Sequence, residues 1–208
     1  MTTLLHINAS ARGESSQSRA IATTFIDALA ARDPGLTVDT LDLFDAGLPD
    51  FGTDAAAAKL AVFTGTEQTP EQVAAWERAR AVFDRFAAAD VYVLNIPIWN
   101  HGVPYILKQY VDIVTQPGWA FAFDPEVGYS GLLEGKRAVT VYTSGVHQPG
   151  VPIQFGSDFA TPFVEDWLRF VGVKDVSEIR FAPTVLTADP EAGFVAAQER
   201  ARELAGDY

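Results

Sequence analysis

Three short segments hold the residues best suited to gripping a ligand. The first, Ser10-Ala11-Arg12-Gly13-Glu14-Ser15-Ser16-Gln17-Ser18, follows the apolar run Leu4-Leu5-His6-Ile7 and opens a helical pattern. Hydroxyls and backbone N–H groups at a strand-to-helix turn can hold a phosphate dianion, and the positive end of the helix adds attraction. Ser15, Ser16 and Ser18 can cap and line that helix start. The segment has no lysine, so it is not the GxxxxGK[ST] loop of phosphoryl transfer, and the dinucleotide pattern GxGxxG is missing too. What remains suits a phosphate that is held and not transferred. A serine-rich cap that binds nothing would use the same residues.

The second segment is Pro97-Ile98-Trp99-Asn100-His101-Gly102-Val103-Pro104. Two prolines and a glycine fix an irregular backbone. Trp99 offers a flat apolar face, and Asn100 both donates and accepts. A planar tricyclic ring needs that combination, although a tryptophan behind a buried strand can equally be core. The third is Thr143-Ser144-Gly145-Val146-His147-Gln148-Pro149-Gly150. Its small residues allow close backbone approach, and His147 brings an imidazole, the side-chain type that changes charge near neutrality. His147 could also be a solvated loop residue.

Composition narrows the classes. The chain has 208 residues, 48% hydrophobic, enough for one well-buried domain over 1–208. A net charge of −12 argues against nucleic acid or an anionic membrane as partner. With no cysteine, disulfides, thiolate catalysis and Cys-based metal sites are excluded. The three histidines, His6, His101 and His147, have no metal-ligand spacing, so no metal is expected. The N-terminus lacks a basic segment followed by an apolar one, and no run is apolar enough to span a bilayer. A cytoplasmic protein is the expectation.

The elements that must position the three segments alternate. Leu4–Asn8, Leu36–Leu41, Val91–Ile96, Arg137–Tyr142 and Val176–Phe181 read as strands. Ser18–Arg32, a stretch opening at Thr69-Pro70, Tyr105–Val114, Phe159–Val171 and Pro190–Ala205 read as helices. Residues 44–69 read as a loop holding one short helix, and 119–135 as an aromatic, glycine-rich hairpin excursion. Strands apolar throughout imply a parallel sheet covered on both faces. The fold expected is α/β, a flavodoxin-like doubly wound five-stranded parallel sheet with helices on both faces. Its ligand lies at the C-terminal strand ends, near the switch between the first and third strands. That rule selects loops 9–18, 97–104 and 143–157, which contain the three segments.

Ser10 with Ser16-Gln17-Ser18, Pro97-Ile98-Trp99-Asn100 with Leu107-Lys108, and Thr143-Ser144-Gly145 with His147 together resemble the FMN-dependent NAD(P)H azoreductase and quinone reductase family. The resemblance extends through Gly118-Trp119-Ala120-Phe121 and Leu132-Leu133-Glu134-Gly135-Lys136. It implies FMN as cofactor and NADH or NADPH as electron donor. Ser10, Ser16, Gln17 and Ser18 would hold the phosphate. Pro97, Ile98, Trp99, Asn100 and His101 would lie along the flavin ring, with Ser144 and Gly145 at its polar edge. Hydride transfer to the flavin and on to a small aromatic acceptor would follow a ping-pong course. His147, or backbone N–H groups of 143–147, would stabilise the negative charge of the reduced ring. The resemblance also implies a homodimer with shared active sites, Trp119, Phe121 and Phe123 of one subunit covering the substrate place of the other. The same aromatics could instead fill their own core. This chain has His101-Gly102 where the family carries an aromatic, and its loop after the fourth strand is shorter and lacks the family's arginine. Three other readings stay open: a pathway-specific reductase of a biosynthetic aromatic intermediate, an electron-transfer flavodoxin without substrate turnover, and a regulatory flavoprotein.

Overall fold

The computed structural model describes residues 2–208. Its sheet is built from β1 (Thr3–Asn8), β2 (Thr37–Asp42), β3 (Val91–Pro97), β6 (Arg137–Thr143) and β7 (Asp175–Phe181), in the order β2-β1-β3-β6-β7. Every neighbouring pair is parallel. β1, β3 and β6 are buried along almost their whole length, as expected for strands with both faces covered. The edge strands β2 and β7 are only partly buried.

Two apolar layers cover the sheet. On one face Ile21, Phe25 and Leu29 of α1 (Gln17–Arg32) join Ala197, Ala201 and Leu204 of α6 (Pro190–Leu204). The other face carries α3 (Pro70–Ala87), α4 (Tyr105–Val114) and α5 (Ala160–Val171). There Phe86 stacks on Tyr92 at 4.4 Å and on Trp167 at 5.6 Å, and the Tyr92 hydroxyl donates to the Phe86 carbonyl at 3.0 Å. The turn Thr69-Pro70 caps α3 as expected: Thr69 Oγ1 accepts from the Gln72 N–H, and Gln72 answers to the Thr69 N–H.

Within 44–69 the helix α2 (Thr53–Thr64) runs 12 residues and buries Ala55, Ala58 and Ala61. The expected excursion is an antiparallel hairpin, β4 (Phe121–Asp124) and β5 (Gly128–Gly131). It docks where α5 ends. Gly172 caps α5 in the left-handed region at φ 108°, and the Leu133 N–H donates to the Val171 carbonyl at 2.9 Å. A Cβ on Gly131 would collide with the Gly172 backbone, so this close approach requires glycine.

The chain leaves β1 for β2 on one side and reaches β3 on the other. The loops after β1 and β3 therefore diverge, and a crevice opens between them.

Candidate active site

A cleft of about 170 Å³ lies in that crevice. β1 ends at Asn8, and the Ala9 N–H still donates to the Asn95 carbonyl at 3.1 Å, holding the start of the turn against β3. A single 3-10 turn, Gly13–Ser15, then aims α1 at the cleft. Ser16 is the N-cap, its hydroxyl accepting from the Arg19 N–H at 3.2 Å. Ser10, Ser16, Gln17 and Ser18 all line the cleft. Arg12 lines it as well and supplies a cation to a turn without lysine. None of the lining residues is acidic, although the chain carries a net charge of −12.

Pro97, Ile98 and Trp99 form the facing wall. The Ile98 N–H donates to the Thr143 carbonyl at 2.8 Å, tying this wall to the loop after β6. Trp99 is backed by Phe44 at 6.1 Å, and Phe44 meets Tyr105 edge-on at 5.9 Å. Ser144 and Gly145 close the far end, with Thr143 and Thr184 beside them. Thr184 belongs to the loop after β7: its N–H donates to the Ser144 carbonyl and that of Val185 to the Gly145 carbonyl, both at 2.9 Å. The rule that ligands gather at strand C-termini, carried on to the last strand, would have found Thr184.

Asn100 and His101 do not line the cleft. Trp99 and Gly102 exchange two backbone hydrogen bonds at 2.9 Å, and Asn100 and His101 between them stand at φ 48° and 71°. This is a type I′ turn. It carries His101 toward the segment 156–159, where its Nδ1 accepts from the Ser157 N–H at 2.8 Å and its carbonyl from the Phe159 N–H at 2.7 Å. His101 thus fastens one loop to another.

His147 is half-buried and does not line the cleft either. It stands near His101 across Gly156, where a Cβ would lie 3.1 Å from His101 Cε1 and 3.9 Å from His147 Cβ. Its Nδ1 is buried with no hydrogen-bond partner among the described residues.

Of the three excursion aromatics, two pack inside their own chain, the alternative the sequence left open. Trp119 packs on α3 of its own chain, 4.5 Å from Trp76 and 5.6 Å from Phe83, with the Arg80 guanidinium 5.1 Å over its ring. Phe121 is buried against Phe170 at 4.9 Å. Both fill the gap between the hairpin and the helices. Phe123 alone stays 57% exposed, against Tyr129 at 4.8 Å.

Comparison with known proteins agrees with this architecture. The family described as having a flavodoxin-like fold matches residues 2–205. An FMN-dependent NADH:quinone oxidoreductase of Ruegeria pomeroyi is 46% identical over 194 residues, covering 93% of this chain and 95% of that protein. One from Nitratidesulfovibrio vulgaris is 39% identical over 212 residues, with both chains covered completely. An azoreductase crystal structure from Bacillus anthracis superposes with a TM-score of 0.91 at 25% identity, covering 100% of each chain. By sequence along nearly its whole length, and by strand order and cleft position, this chain belongs to the flavodoxin-like fold family, in the group of the FMN-dependent quinone reductases and azoreductases.

Proposed function

We propose that this chain is an FMN-dependent oxidoreductase, a single FMN-binding domain that takes reducing equivalents from NADH and delivers them to quinones, azo compounds or related electron-poor aromatics. One observation carries the reading: buried hydroxyls, a helix N-terminus and a braced tryptophan converge on one cleft without a carboxylate. The residues fit FMN at each end. Ser10, Ser16 and Ser18, the first amides of α1 and Arg12 form a donor-rich cradle for a phosphate. Trp99 gives the ring a flat face, and Ser144, Gly145 and Thr184 give its polar edge hydroxyls and open backbone.

FMN, when bound, supplies acceptance of a hydride from the nicotinamide and its onward delivery. The chain's own part is to bind, orient and exclude water. Phe44 keeps Trp99 from turning away. The bonds from Ile98 to Thr143 and from Thr184 to Ser144 hold three loops in one arrangement. His147 stands half-buried on the loop that carries Ser144 and Gly145, and it is the residue assigned to the acceptor step. Phe123 is the excursion aromatic free to reach a second subunit, which supports a homodimer with shared sites. No helix among the described residues is long and apolar enough to cross a membrane. That agrees with work in the cytoplasm on small diffusible acceptors.

The purified protein, supplied with FMN, is expected to take up stoichiometric flavin, to bleach with NADH under anaerobic conditions, and to recover its colour on adding a quinone. A protein that stays colourless and gains no thermal stability from excess FMN overturns the reading.

A further inference from the structure

Beneath the phosphate end of the cleft, buried polar side chains run across the sheet, away from any ligand. His6, Asn95, Asn8, Ser18 and Ser16 are each at most 3% exposed, and only the two serines reach the cleft lining. Chemistry alone orients their hydrogen bonds. The Asp42 carboxylate accepts, so the Asn8 group 2.6 Å from it is the amide nitrogen. The Ser10 N–H donates, so the Asn8 group 3.1 Å from it is Oδ1. That oxygen faces Asn95 at 2.7 Å, and Asn95 must turn its own amide nitrogen there. The same nitrogen stands 3.3 Å from Ser18 Oγ and donates its second hydrogen to it. Asn95 Oδ1 is then left facing His6 Nε2 at 2.8 Å, and the imidazole must carry its hydrogen on Nε2.

At the cleft end, Ser16 Oγ and Ser18 Oγ lie 3.2 Å apart. Ser18 accepts from Asn95, and Ser16 accepts from the Arg19 N–H. The pair owns two hydroxyl protons, and one is used between them. The other has no acceptor inside the network and is left for the cleft, whichever serine carries it.

We propose that His6 is a positioning residue for anion recognition: by donating from Nε2 it keeps Asn95 a donor to Ser18, so that the spare hydroxyl proton of the Ser16–Ser18 pair is presented to a phosphate in the cleft. The proposal rests on the reading of this cleft as an FMN site. Without a donor at position 6, Asn95 Oδ1 is buried and unpaired, a costly state. Turning the Asn95 amide over, at the expense of its contact with Asn8 Oδ1, brings that oxygen to the Ser18 hydroxyl, and each turned-over molecule draws inward the proton meant for the anion. His6 touches no ligand, so its loss is felt by ligands that carry the phosphate and not by those that lack it.

Two measurements on the full flavin-free chain test this. Nitrogen NMR of the wild-type His6 ring is expected to show a protonated Nε2 and a bare Nδ1; the opposite tautomer overturns the proposal, and no variant has to fold for that result. Dissociation constants for FMN and riboflavin are then compared in wild type, His6→Leu, His6→Gln and the double variant Ser16→Ala, Ser18→Ala. His6→Leu is expected to weaken FMN by about tenfold, the scale of one hydrogen bond to a charged group, with riboflavin unchanged. His6→Gln, which restores an N–H donor, is expected to recover FMN binding. Equal weakening of both ligands by His6→Leu makes the residue structural only and overturns the proposal. If wild type and the double serine variant bind both ligands alike, the cleft is not a phosphate site and the FMN reading itself fails. If only the serine variant loses FMN preference, the reading stands and the role of His6 falls.

Discussion

Asn8 and Asn95 are register partners on the parallel strands β1 and β3, and their side-chain amides meet under the cleft with Asn95 Nδ2 2.7 Å from Asn8 Oδ1. This contact stitches the two central strands at the place where the chain reverses its winding. Both amides are out of water, so each depends on the other to stay paired. Asn95→Leu strands the His6 Nε2–H, at about 1–3 kcal/mol, and leaves Asn8 Oδ1 with the Ser10 N–H as its remaining partner. Urea unfolding is expected to show the loss, and a midpoint equal to wild type refutes it.

Burial holds His6 below its ordinary value of 6.5, aided by Arg19 and opposed by the bond to Asn95 and by Asp42. The unfolded chain therefore takes up this proton at a higher pH than the folded one. Stability contributed here is present above 6.5, declines as the pH falls below it, and levels off once the folded ring has also protonated. Unfolding free energies of wild type and His6→Gln, measured on both sides of 6.5, are expected to diverge. Parallel pH profiles refute the assignment.

His147→Ala is expected to lower kcat/KM for a quinone by about 10- to 100-fold, the scale of one lost charge-stabilising donor, with FMN content unchanged. His101→Ala is the contrast, because it cuts the tie to Ser157 and acts through loop geometry. Stopped-flow traces of His147→Ala that match wild type in both half-reactions make the residue a bystander.

The hairpin exposes Phe123, Val127 at 87% and Tyr129 at 65%. Water-facing apolar residues gathered on one ribbon mark a contact surface. Phe123→Asp is expected to move the light-scattering mass at micromolar concentration from two chains to one and to reduce quinone turnover. A wild-type protein that already scatters as one chain, with activity intact, refutes the shared-site homodimer.

Gly131→Ala forces a methyl into the Gly172 backbone. The expected destabilisation is about 1–3 kcal/mol, the usual cost of overpacking. Chemical denaturation measures it, and a neutral result means that the hairpin docks elsewhere in solution.

Much of this was legible in the sequence because the strongest signals were local. Val91–Ile96 is apolar at every position but Asn95, and Thr69-Pro70 announces a capped helix. What escaped depends on distance. The helix expected within 44–69 is present as the 12-residue α2, but its bounds escaped because it buries only alanines and its apolar stripe is faint. Trp119 and Phe121 are spent on Trp76 and Phe170, partners far along the chain. His101 is turned by a left-handed bend for which Asn and His give only a weak signal. Asn8 and Asn95 look like interruptions of apolar runs until strand register sets them side by side.

The bend at Asn100 and His101 holds two successive non-glycine residues at positive φ, a backbone state that costs about 1–3 kcal/mol where the surroundings enforce it. Glycine would adopt that state freely, yet it would also remove the ring that receives the Ser157 N–H. Stability and loop alignment therefore pull this position in opposite directions. A laboratory evolution selecting only for heat resistance would enrich His101→Gly and release the 156–159 segment. One selecting for turnover would keep the strained imidazole and accept a lower melting temperature.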